Sequence, residues 1–197
     1  MIRGVVFDLD GTLVDSRLDF DAMRREMELP PDQPILEALT ELAPHHAARC
    51  REILHRHELA GAERAVLLPG AGELLAVLHG RGVHVAIATR NSRHITLATL
   101  NKVGLAIDLV LTRDDGPVKP HPWPVLHACE RWQLAASEVI VVGDYRFDVE
   151  CGRAAGCGTV LMTHPRDPAD YPNVENADLL LGSLADREKL LAWLESL

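Results

Sequence analysis

Residues 2–12 read IRGVVFDLDGT, a short apolar run that ends at two carboxylates and a glycine. Such a run is typical of a buried strand that feeds a loop. In an extended chain, residues two apart share a face, so Asp8 and Asp10 are expected to point together into the crevice beyond the strand. Two close carboxylates repel each other unless a divalent cation neutralises one and the other holds a proton. The stretch therefore predicts a nucleophile beside an acid/base.

Gly11 and Thr12 complete this stretch. Gly11 allows a sharp turn, and its backbone N–H, with that of Thr12, is predicted to face a phosphate. The alternative interpretation is a polar strand end with an ordinary turn. The residues at the ends of the other strands decide between the two.

The rest of the chain alternates between strand and helix patterns. Apolar runs at residues 83–88, 109–111, 139–142 and 158–162 predict strands, and segments with apolar residues at helical spacing lie between them. A closing helix is predicted from Ser183, with Asp186 completing a capping box. The alternation predicts an α/β fold, a Rossmann-like parallel sheet with helices on both faces.

Residues 15–68 break this alternation, because their apolar residues recur only at helical spacing. The segment is predicted to be a small all-helical cap domain, inserted after the first strand. The α/β core domain is then formed by residues 1–14 and 69–197.

Several cap residues follow the first strand closely enough to reach the crevice, namely Arg17, Phe20, Met23 and Arg24. Their helical spacing nevertheless favours Phe20 and Met23 as core residues. Arg24 and Arg25 are expected to be solvated.

Two further strands are followed by groups that suit an anion. Thr89 comes directly after the run at 83–88, where its hydroxyl can donate to an oxyanion. Lys119 follows the run at 109–111, and Pro120 and Pro122 are predicted to hold its backbone extended, so that one ammonium is aimed from a rigid segment. Taken alone, Thr89 reads as a turn residue and Lys119 as a solvated one.

An acidic pair follows the run at 139–142. If a helix begins near Tyr145, Asp148 lies one turn into it, and its carboxylate and that of Asp144 can approach one cation. The alternative is an acidic pair that complements the helix dipole. All of these groups fall at carboxyl ends of predicted strands, where α/β ligand sites form.

These stretches resemble the four motifs of the haloacid dehalogenase superfamily, in its phosphatase branch with a helical cap and similar to phosphoglycolate phosphatases. The matching stretches are DLDGTLVDS at 8–16, IAT at 87–89, KPHP at 119–122 and GDYRFDVECGRAAG at 143–156. The resemblance implies that Asp8 is the nucleophile that becomes an aspartyl phosphate. Asp10 would protonate the leaving oxygen and then activate water.

The resemblance also implies how the phosphate and a metal are held. Thr89 and Lys119 would bind phosphoryl oxygens, and Mg²⁺ would be held by Asp8, the Asp10 carbonyl and Asp144, with Asp148 beside it. Arg90 stands where many relatives carry Asn, so it is either a further cationic phosphate contact or a surface residue. Asp10 itself argues against carbon–halogen cleavage, because the dehalogenases lack this acid.

The expected function is thus a Mg²⁺-dependent phosphatase that hydrolyses a small phosphomonoester, with a small phosphorylated metabolite as its partner. A phosphomutase of the β-phosphoglucomutase type uses the same aspartates and is one alternative. A non-catalytic phosphate-binding protein on the same scaffold is the other. The short cap has no evident basic residues that would bind a second phosphate, which disfavours the mutase.

Composition and the cysteine pattern bear on the partners and the cellular location of the protein. The 29 acidic residues exceed the 20 basic ones, and the resulting charge of −9 predicts neither a nucleic-acid nor a membrane partner. The four cysteines form no CxxC pair, and no signal-peptide pattern opens the chain, so we expect reduced thiols and a cytoplasmic protein. At this length, a monomer or weak homodimer is expected.

Overall fold

The computed structural model describes residues 1–164 and 176–197. Its strands are β1 (Gly4–Phe7), β2 (Val14–Asp15), β3 (Val66–Leu67), β4 (His84–Ala88), β5 (Leu109–Leu111), β6 (Val139–Gly143), β7 (Gly158–Met162) and β8 (Leu179–Leu181). Its helices are α1 (Phe20–Glu26), α2 (Ile35–Glu41), α3 (Pro44–Arg64), α4 (Ala71–Gly80), α5 (Arg93–Val103), α6 (Trp123–Trp132), α7 (Arg146–Ala155) and α8 (Arg187–Ser196). Within the described residues, no helix combines the length and the apolar character needed to cross a membrane.

The main sheet has six strands in the order β5-β4-β1-β6-β7-β8, and all of them run parallel. This confirms the predicted α/β fold. Phe7 at the end of β1 lies opposite Ile87 of β4 and Val142 of β6. The residues that come after these three strands therefore emerge side by side at one edge of the sheet.

Successive residues of each central strand are buried against opposite layers of helices. Val5 and Phe7 pack in a cluster with residues of α4, α5 and α8. Val6 packs in a second cluster with residues of α6 and α7, which includes the buried, free Cys151. A parallel sheet that is covered on both faces explains why its strands read as continuous apolar runs.

The helices α1, α2 and α3 lie between the short strands β2 and β3, which pair antiparallel. They enclose a separate apolar cluster of Met23, Met27, Ile35, Leu39, Cys50, Ile53 and Leu54. We call residues 16–65 the helical segment. The predicted cap, residues 15–68, begins in β2 and ends directly after β3. The division of the chain into two domains stays a prediction.

Some local predictions are wrong. The run Leu179–Leu181 forms the edge strand β8, which was not predicted, because a bare leucine run lacks the β-branched residues typical of strands. Ser183 does precede a helix, but its hydroxyl accepts the N–H of Ala185 at the start of one 3₁₀ turn, and α8 begins only at Arg187. Pro122 has helical angles, φ −71° and ψ −9°, so the predicted extended backbone does not hold there.

Candidate active site

A cavity of about 210 Å³ opens at the carboxyl edge of the sheet, between the core and the helical segment. Seven of the residues predicted to form a site line it, namely Asp8, Asp10, Thr89, Arg90, Lys119, Asp144 and Asp148. They come from four separate stretches of chain, which meet because β1, β4 and β6 end together and the loop after β5 folds beside them. Gly11 and Thr12 do not line the cavity.

Lys119 is the electrostatic centre of this arrangement. Its buried ammonium lies 2.7 Å from Asp8 Oδ1 and 2.6 Å from Asp148 Oδ1. Burial alone would lower the pKa of Lys119, but the two carboxylates outweigh it and raise that pKa above its usual value. Lys119 therefore stays a cation at the point where Asp8 enters the cavity.

Asp8, Asp144 and Asp148 each place a carboxylate oxygen within 4.8 Å of the others. Burial, followed by the charges of Asp8 and Asp148, raises the pKa of Asp144 well above its usual range. Burial likewise raises the pKa of Asp148 to about 6, although Lys119 counteracts it. Three carboxylates thus face one ammonium, an excess of negative charge held in oxygen ligands that suits a hard divalent cation.

Two glycines make this crowding possible. Gly143 ends β6 directly against the Asp148 side chain, and a Cβ at this position would overlap that carboxyl group. Gly11 adopts φ +81°, and a Cβ there would overlap the Asp144 carboxylate. Each site thus accommodates glycine but no larger residue.

The side chain of Asp10 lies outside the acidic cluster and has its own partners. Ser16 Oγ donates to its Oδ1, and Asn91 Nδ2 donates to its Oδ2 at 2.6 Å. Burial raises the pKa of Asp10 to about 6, with a smaller contribution from Asp8, while the Ser16 and Asn91 hydrogen bonds oppose the rise. A carboxyl group that titrates near neutral pH is suited to exchange protons with a substrate.

Asn91 was not predicted as a site residue. It stands only two positions beyond Thr89, so the same strand end that predicts Thr89 is the signal that was available for it. Its side chain is buried, and its backbone N–H donates to Thr89 Oγ1 at 3.2 Å. Thr89 and Asn91 thus form one turn that reaches from the sheet to Asp10.

Gly11 and Thr12 lie in the turn after β1 and use their amides within it. The N–H of Gly11 donates to the Val14 carbonyl at 2.8 Å, and that of Thr12 to the Leu9 carbonyl at 3.3 Å. The phosphate contacts predicted for these amides would require the turn to open, and they stay predictions. The Thr12 hydroxyl is buried and has no hydrogen-bond partner among the described residues.

Arg90 joins the core to the helical segment, so the interpretation as a surface residue is wrong. Its Nη2 donates to both carboxylate oxygens of Glu37 in α2, at 2.9 and 2.6 Å, and its Nη1 to the Lys119 carbonyl. Its guanidinium also lies 4.7 Å from the centroid of the Phe147 ring. The predicted phosphate contact of Arg90 stays a prediction. In the structure, the Arg90 guanidinium forms its ion pair with Glu37.

The helical segment supplies the opposite wall of the cavity, mainly with apolar side chains. Phe20 lines the cavity and is 48% exposed, so its prediction as a core residue is wrong, whereas Met23 is fully buried as predicted. Arg24 also lines the cavity, and its side chain is only 16% exposed, so the expectation that it is solvated is wrong. Helical spacing places both Phe20 and Met23 on the side of the helix that faces the protein interior. Residues that line a cavity and residues in a core show the same spacing, so the spacing does not distinguish them.

Glu58 of α3 is a second link that the sequence did not reveal. Its buried carboxylate accepts two hydrogen bonds from the Arg113 guanidinium, at 2.5 and 2.8 Å. Arg113 lies just after β5 in the core, 55 residues further along the chain. A long-range pair of this kind leaves no signal in local spacing.

Comparisons with known proteins agree with this geometry. The family model for haloacid dehalogenase-like hydrolases matches residues 2–156. A haloacid dehalogenase-like hydrolase domain-containing protein of Arabidopsis thaliana is 32% identical over 82% of this chain and 71% of its own length. A phosphoglycolate phosphatase of Yersinia pseudotuberculosis is 29% identical over 94% of this chain and 91% of its own.

A solved structure shows the same fold. The crystal structure of a hydrolase from Pseudomonas syringae matches with a TM-score of 0.79 at 23% identity, covering 97% of this chain and 98% of that one. The family model spans the first strand, the helical segment and the acidic cluster around Asp8, Asp144 and Asp148. The chain therefore belongs to the haloacid dehalogenase-like hydrolases.

Proposed function

We propose that the chain is a Mg²⁺-dependent phosphatase that hydrolyses a small phosphomonoester through an aspartyl phosphate on Asp8. The observation that carries this proposal is the placement of Asp8. Its carboxylate lies 2.7 Å from the Lys119 ammonium and within 4.8 Å of the Asp144 and Asp148 carboxylates, and it lines a cavity that Asp10 also lines. Phosphoryl transfer depends chiefly on positioning and charge neutralisation, and these groups can supply both.

Asp8, Asp144 and Asp148 would hold the metal, with the Asp10 carbonyl as a further ligand by family resemblance. The excess of negative charge around them fits a divalent cation. When bound, Mg²⁺ would neutralise phosphate oxygens and so allow a carboxylate to approach a dianionic ester.

Asp8 would attack phosphorus in line with the leaving oxygen. Lys119 restrains one of its carboxylate oxygens, so that the side chain has a defined direction. Asp10 would donate its proton to the leaving alkoxide and then, as a carboxylate, accept a proton from the water that attacks the aspartyl phosphate. Both halves use the same group, which fits its pKa of about 6.

The remaining predicted residues would bind the phosphoryl group. Thr89 and Lys119 line the cavity beside Asp8 and are the proposed donors to its oxygens. Arg90, Gly11 and Thr12 stay secondary candidates, because Glu37 and the turn carbonyls already occupy their donors.

The test is phosphate release from a panel of phosphomonoesters, in Mg²⁺ or in EDTA, for wild type and Asp8→Asn. We expect release that needs Mg²⁺ and disappears in Asp8→Asn, while circular dichroism shows that the variant keeps the native fold. Asp108→Asn is the matched control, since Asp108 is exposed and lies just before β5, outside the cavity. Undiminished release by Asp8→Asn would remove Asp8 from the nucleophile role.

A further inference from the structure

The part of the cavity beyond the acidic cluster has an apolar wall. Phe20 of α1, Leu36 of α2 and Leu54 of α3 line it from the helical segment, and Tyr145 and Phe147 line it from the core. Each of the three helices thus turns an apolar side chain towards the position where the alcohol part of a phosphomonoester would lie.

Two of these aromatic side chains are unusually exposed. Phe20 is 48% exposed and Tyr145 is 44% exposed. The Tyr145 ring meets Phe147 edge to face, with centroids 5.0 Å apart. Apolar surface left open to water in a cavity is stabilised when an apolar ligand covers it.

The cations of the cavity are already paired. Among the described residues that line it, the basic ones are Arg24, Arg90 and Lys119. Arg24 donates to Asp21 at 2.7 Å and to the Gln33 carbonyl at 3.0 Å. Arg90 is held by Glu37, and Lys119 by Asp8 and Asp148.

The cavity therefore offers little to a second anionic group. A carboxylate or second phosphate on the substrate would compete with Glu37 for Arg90 or with the exposed Asp21 for Arg24, and it would enter a cavity that Glu58 and Asp10 also line. Desolvating such a group without a partner is costly.

We propose that the substrate is a phosphomonoester whose alcohol part is uncharged and apolar, with an aromatic ring preferred. This inference rests on the proposed phosphatase function and names the substrate class of the same site. Phe20, Leu36 and Tyr145 are the residues that would select the ring.

The first experiment compares kcat/KM for phenethyl phosphate and phosphoglycolate in Mg²⁺. Both substrates release an unactivated alcohol, so chemical reactivity differs little and contacts with the cavity decide the ratio. We expect a preference for phenethyl phosphate of about tenfold or more, since the ring buries several carbon atoms. A preference for phosphoglycolate would overturn the inference and leave the phosphatase function intact.

A binding measurement separates the two proposals. Phenylpropylphosphonate and phosphonopropionate replace the scissile oxygen of these substrates by CH₂, and their dissociation constants are measured by calorimetry without turnover. Tighter binding of phenylpropylphosphonate supports the inference even if no ester is hydrolysed, in which case only the catalytic proposal fails. Equal or reversed affinities overturn the inference.

Substitutions test which side chains of the cavity wall bind the ring. Leu36→Lys adds a new cation at the partly buried Leu36 and should move the kcat/KM ratio towards phosphoglycolate by about tenfold. Leu97→Lys is the matched control, because Leu97 is 49% exposed on α5 and lies outside the cavity. Phe20→Ala should weaken phenylpropylphosphonate binding and leave that of phosphonopropionate unchanged. Equal losses for both ligands would contradict the role of Phe20.

Discussion

The edge of the sheet and the helical segment meet at the same cavity, but they contribute to it in opposite ways. The sheet edge crowds charged groups that repel one another, with Asp8, Asp144 and Asp148 around Lys119. The helical segment contributes mainly apolar side chains, and two of its carboxylates pair with the core, Glu37 with Arg90 and Glu58 with Arg113. One side of the cavity is thus arranged for reaction, and the other for recognition and docking.

Removing charge from the sheet edge should have the largest effect. Asp144→Ala is expected to lower Mg²⁺-dependent turnover by about 100-fold or more, because a bound metal contributes several kcal/mol of charge stabilisation. Without metal, the variant should unfold at a higher temperature than wild type, since burial and the neighbouring Asp8 and Asp148 disfavour the Asp144 carboxylate. Thermal unfolding with and without Mg²⁺, together with phosphate release, measures both effects.

The control for this experiment is Asp108→Ala, an exposed acid outside the cavity. It should retain the rise in melting temperature that Mg²⁺ gives wild type, whereas Asp144→Ala should lose most of it. An unchanged Mg²⁺ response in Asp144→Ala would contradict its assignment as a ligand.

Breaking the buried link between the two regions should come next. Glu58→Gln leaves Arg113 without its charged partner and is expected to lower the free energy of unfolding by about 2 kcal/mol or more. Glu28→Gln is the matched control in the same segment, because both side chains of its pair with Arg49 are more than 60% exposed. The control should cost less than about 0.5 kcal/mol. Equal losses of unfolding free energy in urea would show that the buried pair contributes no more stability than the exposed one.

A change near Asp10 should alter pH dependence more than stability. The Asn91 hydrogen bond favours the carboxylate form and lowers the pKa of Asp10, so Asn91→Leu should raise that pKa, by up to about one pH unit. As a general acid, Asp10 must be protonated in the free enzyme. The decline of kcat/KM at high pH should therefore move to higher pH.

This shift is measured with an alkyl phosphate over a pH series at saturating Mg²⁺. Thr40→Val in α2 is a suitable control, because Thr40 is exposed and its hydroxyl donates to the Glu37 carbonyl, away from Asp10. A profile that does not move in Asn91→Leu would mean that Asp10 is not the group titrating.

The smallest effect is expected at the partly exposed link. Glu37→Gln weakens the contact with Arg90, whose side chain is 21% exposed against 44% for Glu37, and should cost about 0.5–1 kcal/mol in urea unfolding. Added salt should reduce the difference between wild type and variant, because it screens exposed pairs. A loss as large as that of Glu58→Gln would show that exposure does not rank the two links.

Much of the sheet edge was predictable from local sequence. The strands β1, β4 and β6 are apolar runs that are buried at their carboxyl ends, and the polar residue that follows each one must emerge at the carboxyl edge of a parallel sheet. Asp8, Thr89 and Asp144 were found in this way, and all three line the cavity. The edge strand β8 was not predicted, because Leu179–Leu181 is short and lacks β-branched residues.

The sequence alone therefore determined the α/β class, the inserted helices and the residues that meet at the sheet edge, because these depend on periodicities of two and 3.6 residues and on strand ends. Only the tertiary structure decided that Phe20 lines a cavity, that Asn91 holds Asp10, and that Glu37 and Glu58 reach across to Arg90 and Arg113. The two links across the cavity join residues 53 and 55 positions apart. Their partners depend on how helices pack against the core, and the spacing of residues within one element carries no record of that packing.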